Sequence, residues 1–220
     1  MPSKSPTEPA PVLSGPSRPP GRRERRRRET REKIYRAAMR LFAERGFFET
    51  TTEQITEAAD VGQGTFFNYF PSKQHVLCVL SEIQLTKVRA AREQALAGEL
   101  SIKDVLHALA HNIAQEPGQS QALTRALFSA IFSNETVRSK TAETMAEGRE
   151  ALAVIMTAGQ KRGEIHRQAQ AADLALAFQR TVAGTLLLWA MQPKISLKAW
   201  LEKAFQDFWA GVAATKGRTR

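Results

Sequence analysis

Apolar residues recur every three to four positions along most of the 220-residue chain, a spacing typical of amphipathic α-helices. The stripe between positions 30 and 45 is representative, with Arg and Glu on the opposite side of its helix. Its members are Ile34, Ala37, Ala38, Leu41 and Phe42. Because no segment alternates apolar and polar residues as a half-buried β-strand does, an all-α fold is predicted.

Capping residues divide this pattern into nine predicted helices. Ser, Thr or Asn stands at the predicted start of most of them, and Gly or Pro follows several of the predicted ends. The predicted ranges are 30–45, 51–59, 63–70, 72–97, 102–115, 121–132, 134–162, 170–191 and 196–212. The first three helices form a small N-terminal unit, and the other six form a larger bundle.

The second and third predicted helices form a helix-turn-helix within residues 51–73. Thr51 and Gln54 have the spacing of a capping box, which fixes the start of the first of these helices. Asp60 tolerates the left-handed conformation and Gly62 lacks a Cβ, so the segment between them is predicted to turn sharply. Helix, tight turn and helix is a motif that reads the major groove of DNA.

The net charge of +10 is concentrated at the two ends of the chain. Residues 1–33 hold ten Lys or Arg against four Glu, a net charge of +6, and the last five residues add +3. We expect residues 1–28, rich in Pro and Arg, to be a disordered basic arm, and residues 215–220 to be a basic tail. Basic ends on a nearly neutral body indicate contact with DNA phosphates or an anionic membrane surface, unless they serve solubility alone.

The sequence also limits the compartment and the chemistry of the protein. A single cysteine, Cys78, excludes an internal disulfide and a cysteine-based metal cluster, which fits a reducing cytoplasm. The longest apolar stretch, residues 181–191, is too short to span a bilayer. These two features predict a cytoplasmic protein. Because no glycine-rich phosphate loop or nucleophile motif is present, we expect it to be neither an enzyme nor cofactor-dependent.

Residues 34–73, IYRAAMRLFAERGFFETTTEQITEAADVGQGTFFNYFPSK, resemble the tetracycline-repressor (TetR) family of transcriptional regulators. An Ile-x-x-Ala-Ala-x-x-Leu-Phe helix leads through Gly-Phe and Thr-Thr into the helix-turn-helix, which closes on Tyr-Phe-x-x-Lys. Asp60 and Gly62 stand where Gly and Ser are common in this family, and Phe67 replaces a frequent Tyr. The resemblance implies a DNA-binding domain at 29–75 and an effector-binding and dimerisation domain at 76–214.

A recognition helix places its N-terminal side chains at base edges in the major groove. The predicted base contacts are Gln63, Thr65, Phe67 and Asn68. Gln and Asn pair with adenine, and a Thr methyl group or a Phe ring contacts the thymine methyl group, so an A·T-rich half-site is predicted. The predicted phosphate contacts are Thr51, Tyr69 and Lys73.

The resemblance further implies a small hydrophobic effector inside the bundle, with the fourth helix as the lever that connects it to the DNA-reading helices. Candidate pocket residues are the polar and soft side chains within apolar helical runs: His107, His111, Arg125, Phe128, Met145, Met156, Gln179 and Trp189. His107 and His111 have the i, i+4 spacing of a metal-binding pair, but no third ligand lies near them in the sequence. No metal site is therefore predicted.

A homodimer is predicted, because one helix-turn-helix reads only a few base pairs and two of them read a near-palindromic operator. The last two helices carry apolar stripes suited to a four-helix interface. The predicted interface residues are Leu174, Phe178, Thr181, Thr185, Leu188, Trp200, Ala204, Phe208 and Val212. The alternative is that both stripes close the core of the monomer.

Together with these patterns, the resemblance implies a repressor that binds a double-stranded DNA operator and is released by its ligand. Two other functions stay open. One is an architectural or cell-cycle factor that binds DNA and uses its bundle for protein contacts. The other is a membrane-surface protein that uses the basic arm.

Overall fold

Nine α-helices, joined by short loops, account for most of the residues that the computed structural model describes, 21–192 and 194–214. They are α1 (Arg22–Arg45), α2 (Thr52–Ala58), α3 (Gln63–Tyr69), α4 (Lys73–Ala97), α5 (Ile102–Gln115), α6 (Gln121–Ser133), α7 (Glu135–Arg162), α8 (Ala171–Met191) and α9 (Leu197–Val212). A short 3-10 turn, Pro117–Gln119, separates α5 from α6. The predicted all-α fold is confirmed: outside the helices, these two ranges show only one isolated antiparallel bridge, between Ile165 and Ala213.

Capping side chains explain many of the helix boundaries. Four bundle helices follow a residue whose side chain accepts a hydrogen bond from the backbone N–H three residues later, namely Ser101, Ser120, Asn134 and Ser196. Helices α4 and α7 end at Gly98 and Gly163, with φ of 81° and 72°. A side chain at either position would be strained, which is why glycine stops both helices.

The first helix begins earlier than predicted. It starts at Arg22, so residues 22–28 are helical and the expectation of a disordered arm is wrong for them. Arginine is a good helix former, Glu24 lies where the helix dipole favours a carboxylate, and Arg25 pairs with Glu29 at 3.7 Å. Residues 1–20 of the predicted arm and the basic tail at 215–220 lie outside the described residues.

Two clusters of buried residues form the core. One belongs to the bundle and draws on α4, α5, α7, α8 and α9. The other holds the three N-terminal helices, but also the first turns of α4, Val137 of α7 and four residues of α6. Those four are Leu123, Ala126, Leu127 and Ala130. The helix-turn-helix unit therefore shares a core with the bundle.

Helix α8 is long and apolar enough, by length and composition alone, to cross a bilayer. The sequence-based expectation that no apolar segment is long enough is therefore wrong. Here the helix packs against α6, α7 and α9, and Phe178 and Leu186 are among its buried residues. Burial of this side in the bundle accounts for much of its apolar character.

Candidate nucleic-acid interface and bundle cavity

The helix-turn-helix starts with the predicted capping box and turns at Asp60. The backbone N–H of Gln54 donates to Thr51 Oγ1 at 3.2 Å, and the backbone N–H of Thr51 donates to Gln54 Oε1 at 3.1 Å. At the other end of α2, Asp60 adopts the left-handed conformation, with φ of 47°. Gly62 has φ of −73°, which any residue adopts, so the sharp turn depends on Asp60 and not on this glycine.

Helix α3 presents the predicted base contacts. Gln63, Phe67 and Asn68 are exposed, at i, i+4 and i+5, and Thr65 is half-buried. Phe66 is fully buried and packs on the equally buried Phe70, with ring centres 5.8 Å apart. Buried rings thus hold the helix on the core and leave its outer side accessible. The base contacts themselves stay a prediction.

A carboxylate from α2 lies beside this surface. Glu53 Oε1 accepts a hydrogen bond from Gln63 Nε2 at 3.1 Å. The backbone N–H of Glu53 itself, at the N-terminus of α2, holds the pKa of this carboxyl below its ordinary value, and the Thr51 hydroxyl adds to the effect. The contact orients the Gln63 amide and leaves its oxygen and one N–H for a base edge.

The Lys73 side chain closes the loop between α1 and α2. Its ammonium group donates to the carbonyl oxygens of Phe47 (2.7 Å), Thr50 (2.8 Å) and Phe48 (3.3 Å). An ammonium group has three protons, so these carbonyls use all of them. Partial burial lowers the pKa of Lys73. The predicted phosphate contact at Lys73 therefore needs correction, because its ammonium group holds the loop.

The other predicted phosphate contacts are more accessible. Thr51 is exposed and Tyr69 is half-buried. Residues 22–28, six Arg and one Glu, are exposed throughout and place a basic surface at the start of α1. Charged side chains of this kind bind phosphates without regard to sequence.

Helix α1 also contacts the lever helix directly. Arg31 donates to Glu82 of α4 at 2.9 Å, and its guanidinium carbon lies 5.8 Å from the centre of the Phe70 ring. Both side chains of the ion pair are about two-fifths exposed, so solvent screens their attraction. The contact nevertheless joins three segments of the unit: α1, the end of α3 and the middle of α4.

A cavity of about 420 Å³ lies within the bundle. Its walls come mainly from α4, α6, α7 and α8, and they are largely apolar. Among the described residues no charged side chain lines it. Three of the predicted pocket residues line this cavity: Phe128, Met145 and Gln179. The size and lining suit a small, mostly apolar molecule.

The other five predicted pocket residues lie elsewhere. Met156 is fully buried in the bundle core. Arg125 and Trp189 hold the end of α8, because Arg125 donates to the Ala190 carbonyl at 2.8 Å and Trp189 Nε1 donates to the Ile195 carbonyl at 2.9 Å. His107 and His111 contact Glu202 of α9 instead of the cavity. These five predictions are therefore wrong for this cavity.

Two buried amide oxygens in the cavity wall have no hydrogen-bond partner among the described residues. Gln84 Nε2 donates to Glu116 at 3.2 Å, and Gln179 Nε2 donates to the Met145 carbonyl at 2.8 Å. Because both partners are acceptors, the amide nitrogens face them and the Oε1 atoms of Gln84 and Gln179 stay unbonded. A buried acceptor without a donor is costly, so these oxygens favour a ligand that carries N–H or O–H groups.

Gln84 belongs to a wall that the sequence prediction missed. The α4 residues on the cavity are Leu77, Leu80, Ser81, Gln84, Leu85 and Val88. Their successive spacings alternate between three and one, which keeps them on one face of a helix, and that periodicity is visible in the sequence. It does not reveal which helix the face meets.

The predicted dimer residues divide into two groups. Buried in the monomer are Leu174, Phe178, Thr185, Phe208 and Val212, as the alternative reading of the stripes expects. At least partly accessible are Thr181, Leu188, Trp200 and Ala204. Leu188 is 55% exposed, and next to it on α8 lie exposed Leu187 and Met191. Only the second group is available to a partner subunit.

Comparison with known proteins agrees with the helix-turn-helix. Residues 34–78 match the family described as bacterial regulatory proteins, tetR family. The transcriptional regulator TcmR of Streptomyces glaucescens is 42% identical over 78 residues, 36% of this chain and 31% of TcmR. The nucleoid occlusion factor SlmA of Glaesserella parasuis is 28% identical over 106 residues, 47% of this chain and 52% of SlmA. The chain thus covers about a third to a half of these relatives.

Similarity to solved structures extends over the bundle. The TetR-family repressor FadR of Thermus thermophilus, solved in complex with lauroyl-CoA, superposes with a TM-score of 0.61 and 27% identity. The match covers 86% of this chain and 98% of FadR. The capped helix-turn-helix, the all-α fold of the described residues and these similarities lead to one conclusion: residues 34–78 form a tetR-family helix-turn-helix domain, and the chain as a whole resembles solved TetR-family repressors.

Proposed function

We propose that this protein is a cytoplasmic transcriptional repressor that binds operator DNA as a homodimer and is released by a ligand in the bundle cavity. The observation that carries the proposal is the course of α4. Its first residue, Lys73, holds the α1–α2 loop, and Gln84, three turns later, lines the cavity. A single rigid element thus joins the DNA-reading unit to the ligand site.

The DNA-reading surface supports recognition of an A·T-rich half-site. The accessible amides of Gln63 and Asn68 pair with adenine, and the Phe67 ring suits a thymine methyl group. The arginines of residues 22–28 supply the sequence-independent attraction to phosphates. Discrimination between operators therefore rests on α3, and much of the affinity rests on α1.

The exposed apolar residues near the end of α8 support the dimer. Leu187, Leu188 and Met191 form a patch that water solvates poorly. Paired with its symmetry mate, this end of α8 and the accessible side of α9 bury such a patch and place two α3 helices side by side. The operator is then a near-palindrome.

The cavity supports a ligand with an apolar body and at least one hydrogen-bond donor. Lauroyl-CoA, which FadR binds, has an apolar acyl chain and amide N–H groups in its pantetheine arm. Its charged phosphates would have to lie outside, because the described walls carry no charge. We propose that the cavity takes an acyl chain with the adjoining pantetheine amide, or a neutral apolar molecule that carries an N–H or O–H group. That group donates to Gln84 Oε1 or Gln179 Oε1.

The connection through α4 explains how a bound ligand would release the DNA. A ligand that spreads α4 from α7 changes the direction of α4 and displaces the loop that Lys73 holds. Because α3 is anchored on the same core through Phe66 and Phe70, the spacing of the two α3 helices in the dimer changes with it. For this coupling to operate, the ligand must bind the arrangement that does not bind DNA more tightly than the arrangement that does.

The similarity to SlmA favours a second candidate, a DNA-binding factor that works through protein contacts of its bundle. The apolar cavity and its unpartnered amide oxygens argue for the ligand-released repressor instead. The two candidates differ in whether a small molecule releases the DNA.

Selection of bound sequences from a random DNA pool, followed by ligand titration on the selected site, tests the proposal. We expect an inverted repeat, and we expect lauroyl-CoA to weaken binding at least tenfold where free coenzyme A does not. The Asn68→Ala variant should lose the sequence preference and keep the melting temperature. Failure to enrich an inverted repeat would overturn specific operator binding. An inverted repeat whose binding resists lauroyl-CoA and a library of neutral apolar compounds would favour the second candidate.

A further inference from the structure

Two histidines of α5 and one carboxylate of α9 converge away from the bundle cavity. His107 Nε2 lies 2.7 Å from Glu202 Oε2, and His111 Nε2 lies 3.8 Å from the same oxygen. No two of the three ligand atoms are more than 4.8 Å apart. The sequence supplied the i, i+4 histidine pair, and the fold brings Glu202 to it across 95 positions.

Neighbouring groups fix the orientation of this cluster. His111 Nδ1 lies 3.1 Å from the His107 carbonyl oxygen, which accepts only if Nδ1 carries the proton. In the neutral ring the lone pair of His111 is then on Nε2, the atom 3.8 Å from Glu202 Oε2. Gln206 Nε2 donates to Glu202 Oε1 at 2.9 Å, so the other carboxylate oxygen, Oε2, is the one that faces the imidazoles.

An ordinary ion pair explains only part of this arrangement. A hydrogen bond accounts for the 2.7 Å contact between His107 Nε2 and Glu202 Oε2, but His111 Nε2 lies 3.8 Å from the same oxygen, too far for a hydrogen bond. Two acceptors that face each other repel unless a proton or a cation lies between them. The His111 side chain is 28% exposed, so solvent screens this repulsion less than it would at an open surface.

We propose that His107 Nε2, His111 Nε2 and Glu202 Oε2 bind a divalent transition-metal ion, with Zn²⁺ as the best fit. Two imidazoles and one carboxylate form a ligand set that Zn²⁺ uses widely, with water in the fourth position. Ligand atoms about 2.1 Å from a tetrahedral Zn²⁺ lie roughly 3.4 Å apart. The two separations from Glu202 Oε2, 2.7 Å and 3.8 Å, lie on either side of that value.

The chemistry and the exposure select the class of ion. A site with two nitrogen ligands and one oxygen ligand disfavours Mg²⁺ and Ca²⁺, which prefer oxygen. The His107 and Glu202 side chains are 41% and 40% exposed, so a water molecule can complete the coordination from the solvent side. The bound ion ties α5 to α9, and neither histidine lines the bundle cavity. The metal site is therefore distinct from the proposed effector site.

Calorimetric titration of untagged, chelator-treated protein with Zn²⁺ tests the proposal. We expect one Zn²⁺ per chain, a higher melting temperature with Zn²⁺, and no heat with Mg²⁺. His111→Gln and Glu202→Gln should each weaken Zn²⁺ binding by about tenfold or more. His166→Gln is the matched control and should bind Zn²⁺ as the wild type does, since His166 lies outside the cluster and contacts the Gly211 carbonyl.

The Co²⁺ spectrum separates a metal site from an ion pair even if a variant is less stable. The wild type and His166→Gln should give the visible bands of tetrahedral Co²⁺, and His111→Gln should lose them while its helical circular dichroism is retained. Equal Zn²⁺ affinity in the wild type and all three variants would place the metal elsewhere and overturn the proposal. So would the absence of binding at micromolar Zn²⁺.

Discussion

The Lys73 ammonium nitrogen lies 2.7 Å from the carbonyl oxygen of Phe47 and 4.6 Å from the centre of the Phe47 ring. One side chain therefore satisfies backbone carbonyls and a buried aromatic face at the same time. The contact ties the first residue of α4 to the loop before α2, and it leads to the first prediction.

Replacing Lys73 with Met should destabilise the protein by about 1–3 kcal/mol, because three carbonyls, two of them in partly buried contacts, lose charged hydrogen bonds. DNA affinity should fall on every sequence, while the salt dependence of binding should stay the same. Chemical denaturation and binding at several salt concentrations measure these effects. The control is Lys33→Met, which removes an exposed pair with Asp60 and should change stability by less than about 0.5 kcal/mol. Wild-type stability with a salt slope lower by about one would instead identify Lys73 as a phosphate contact.

Replacing Tyr35 with Phe should stabilise the protein by about 1 kcal/mol at neutral pH, because the buried Tyr35 hydroxyl has no hydrogen-bond partner in the part of the chain that the structure describes. Burial raises the pKa of this hydroxyl, and the charge of Glu116 raises it further. The Tyr35 hydroxyl ionises above about pH 10 in the unfolded chain but not in the folded chain. Above that pH, Tyr35 therefore lowers the free energy of unfolding by up to about 1.4 kcal/mol per pH unit.

The alkaline loss of stability is therefore predicted to be smaller in Tyr35→Phe than in the wild type. The matched control is Tyr69→Phe at the second tyrosine, which is half-buried on α3. Urea denaturation at pH 7 and near pH 11 measures both variants. Parallel loss of stability in the wild type and Tyr35→Phe would contradict the prediction.

Replacing Asp60 with Val should cost about 1–2 kcal/mol, because a β-branched residue is strained at a φ of 47°. Asp60→Gly should change stability little, since it relieves the left-handed conformation but adds freedom to the unfolded chain. The backbone N–H groups of Asp60 and Val61 donate to the carbonyls of Glu57 and Thr56, both at 3.0 Å, so the turn requires this conformation. Denaturation of the two variants gives the comparison, and equal stability of Asp60→Val and the wild type would contradict it.

Replacing Gly148 with Leu should fill the cavity and abolish the response to lauroyl-CoA while DNA binding is retained. A Cβ at this position meets only Gln179 Nε2 at 3.8 Å and Leu85 Cδ1 at 4.0 Å, so the backbone accepts it and the rest of the side chain enters the cavity. The control is Ala142→Leu at an exposed position of the same helix. DNA-binding anisotropy with and without ligand measures the response, and an unchanged response in Gly148→Leu would place the effector elsewhere.

The local features of the fold were predictable because they depend on neighbours in sequence. The Thr51–Gln54 capping box and the left-handed Asp60 each involve residues a few positions apart, and both are confirmed. The start of α1 at Arg22 was not predicted, because the proline-rich residues before it favour disorder while the arginines after it favour a helix.

Features that depend on the meeting of distant helices were not predictable. Phe178 and Leu188 belong to one apolar stripe of α8, yet the first is buried in the monomer and the second is 55% exposed. Periodicity marks an apolar face but not what covers it. The same limit applies to His107, whose partner Glu202 lies on another helix.

The core that the helix-turn-helix shares with α6 and the start of α7 affects how this regulator can be re-engineered. An excised fragment of residues 29–75 would lose the part of this cluster that α4, α6 and α7 supply, and would expose the side of α1 that now contacts α6. A whole helix-turn-helix unit could be transplanted from one regulator to another only if it matched the α6 residues Leu123 and Leu127. Changes confined to the outer side of α3 leave that shared core intact, so operator preference can be altered there without a cost in folding.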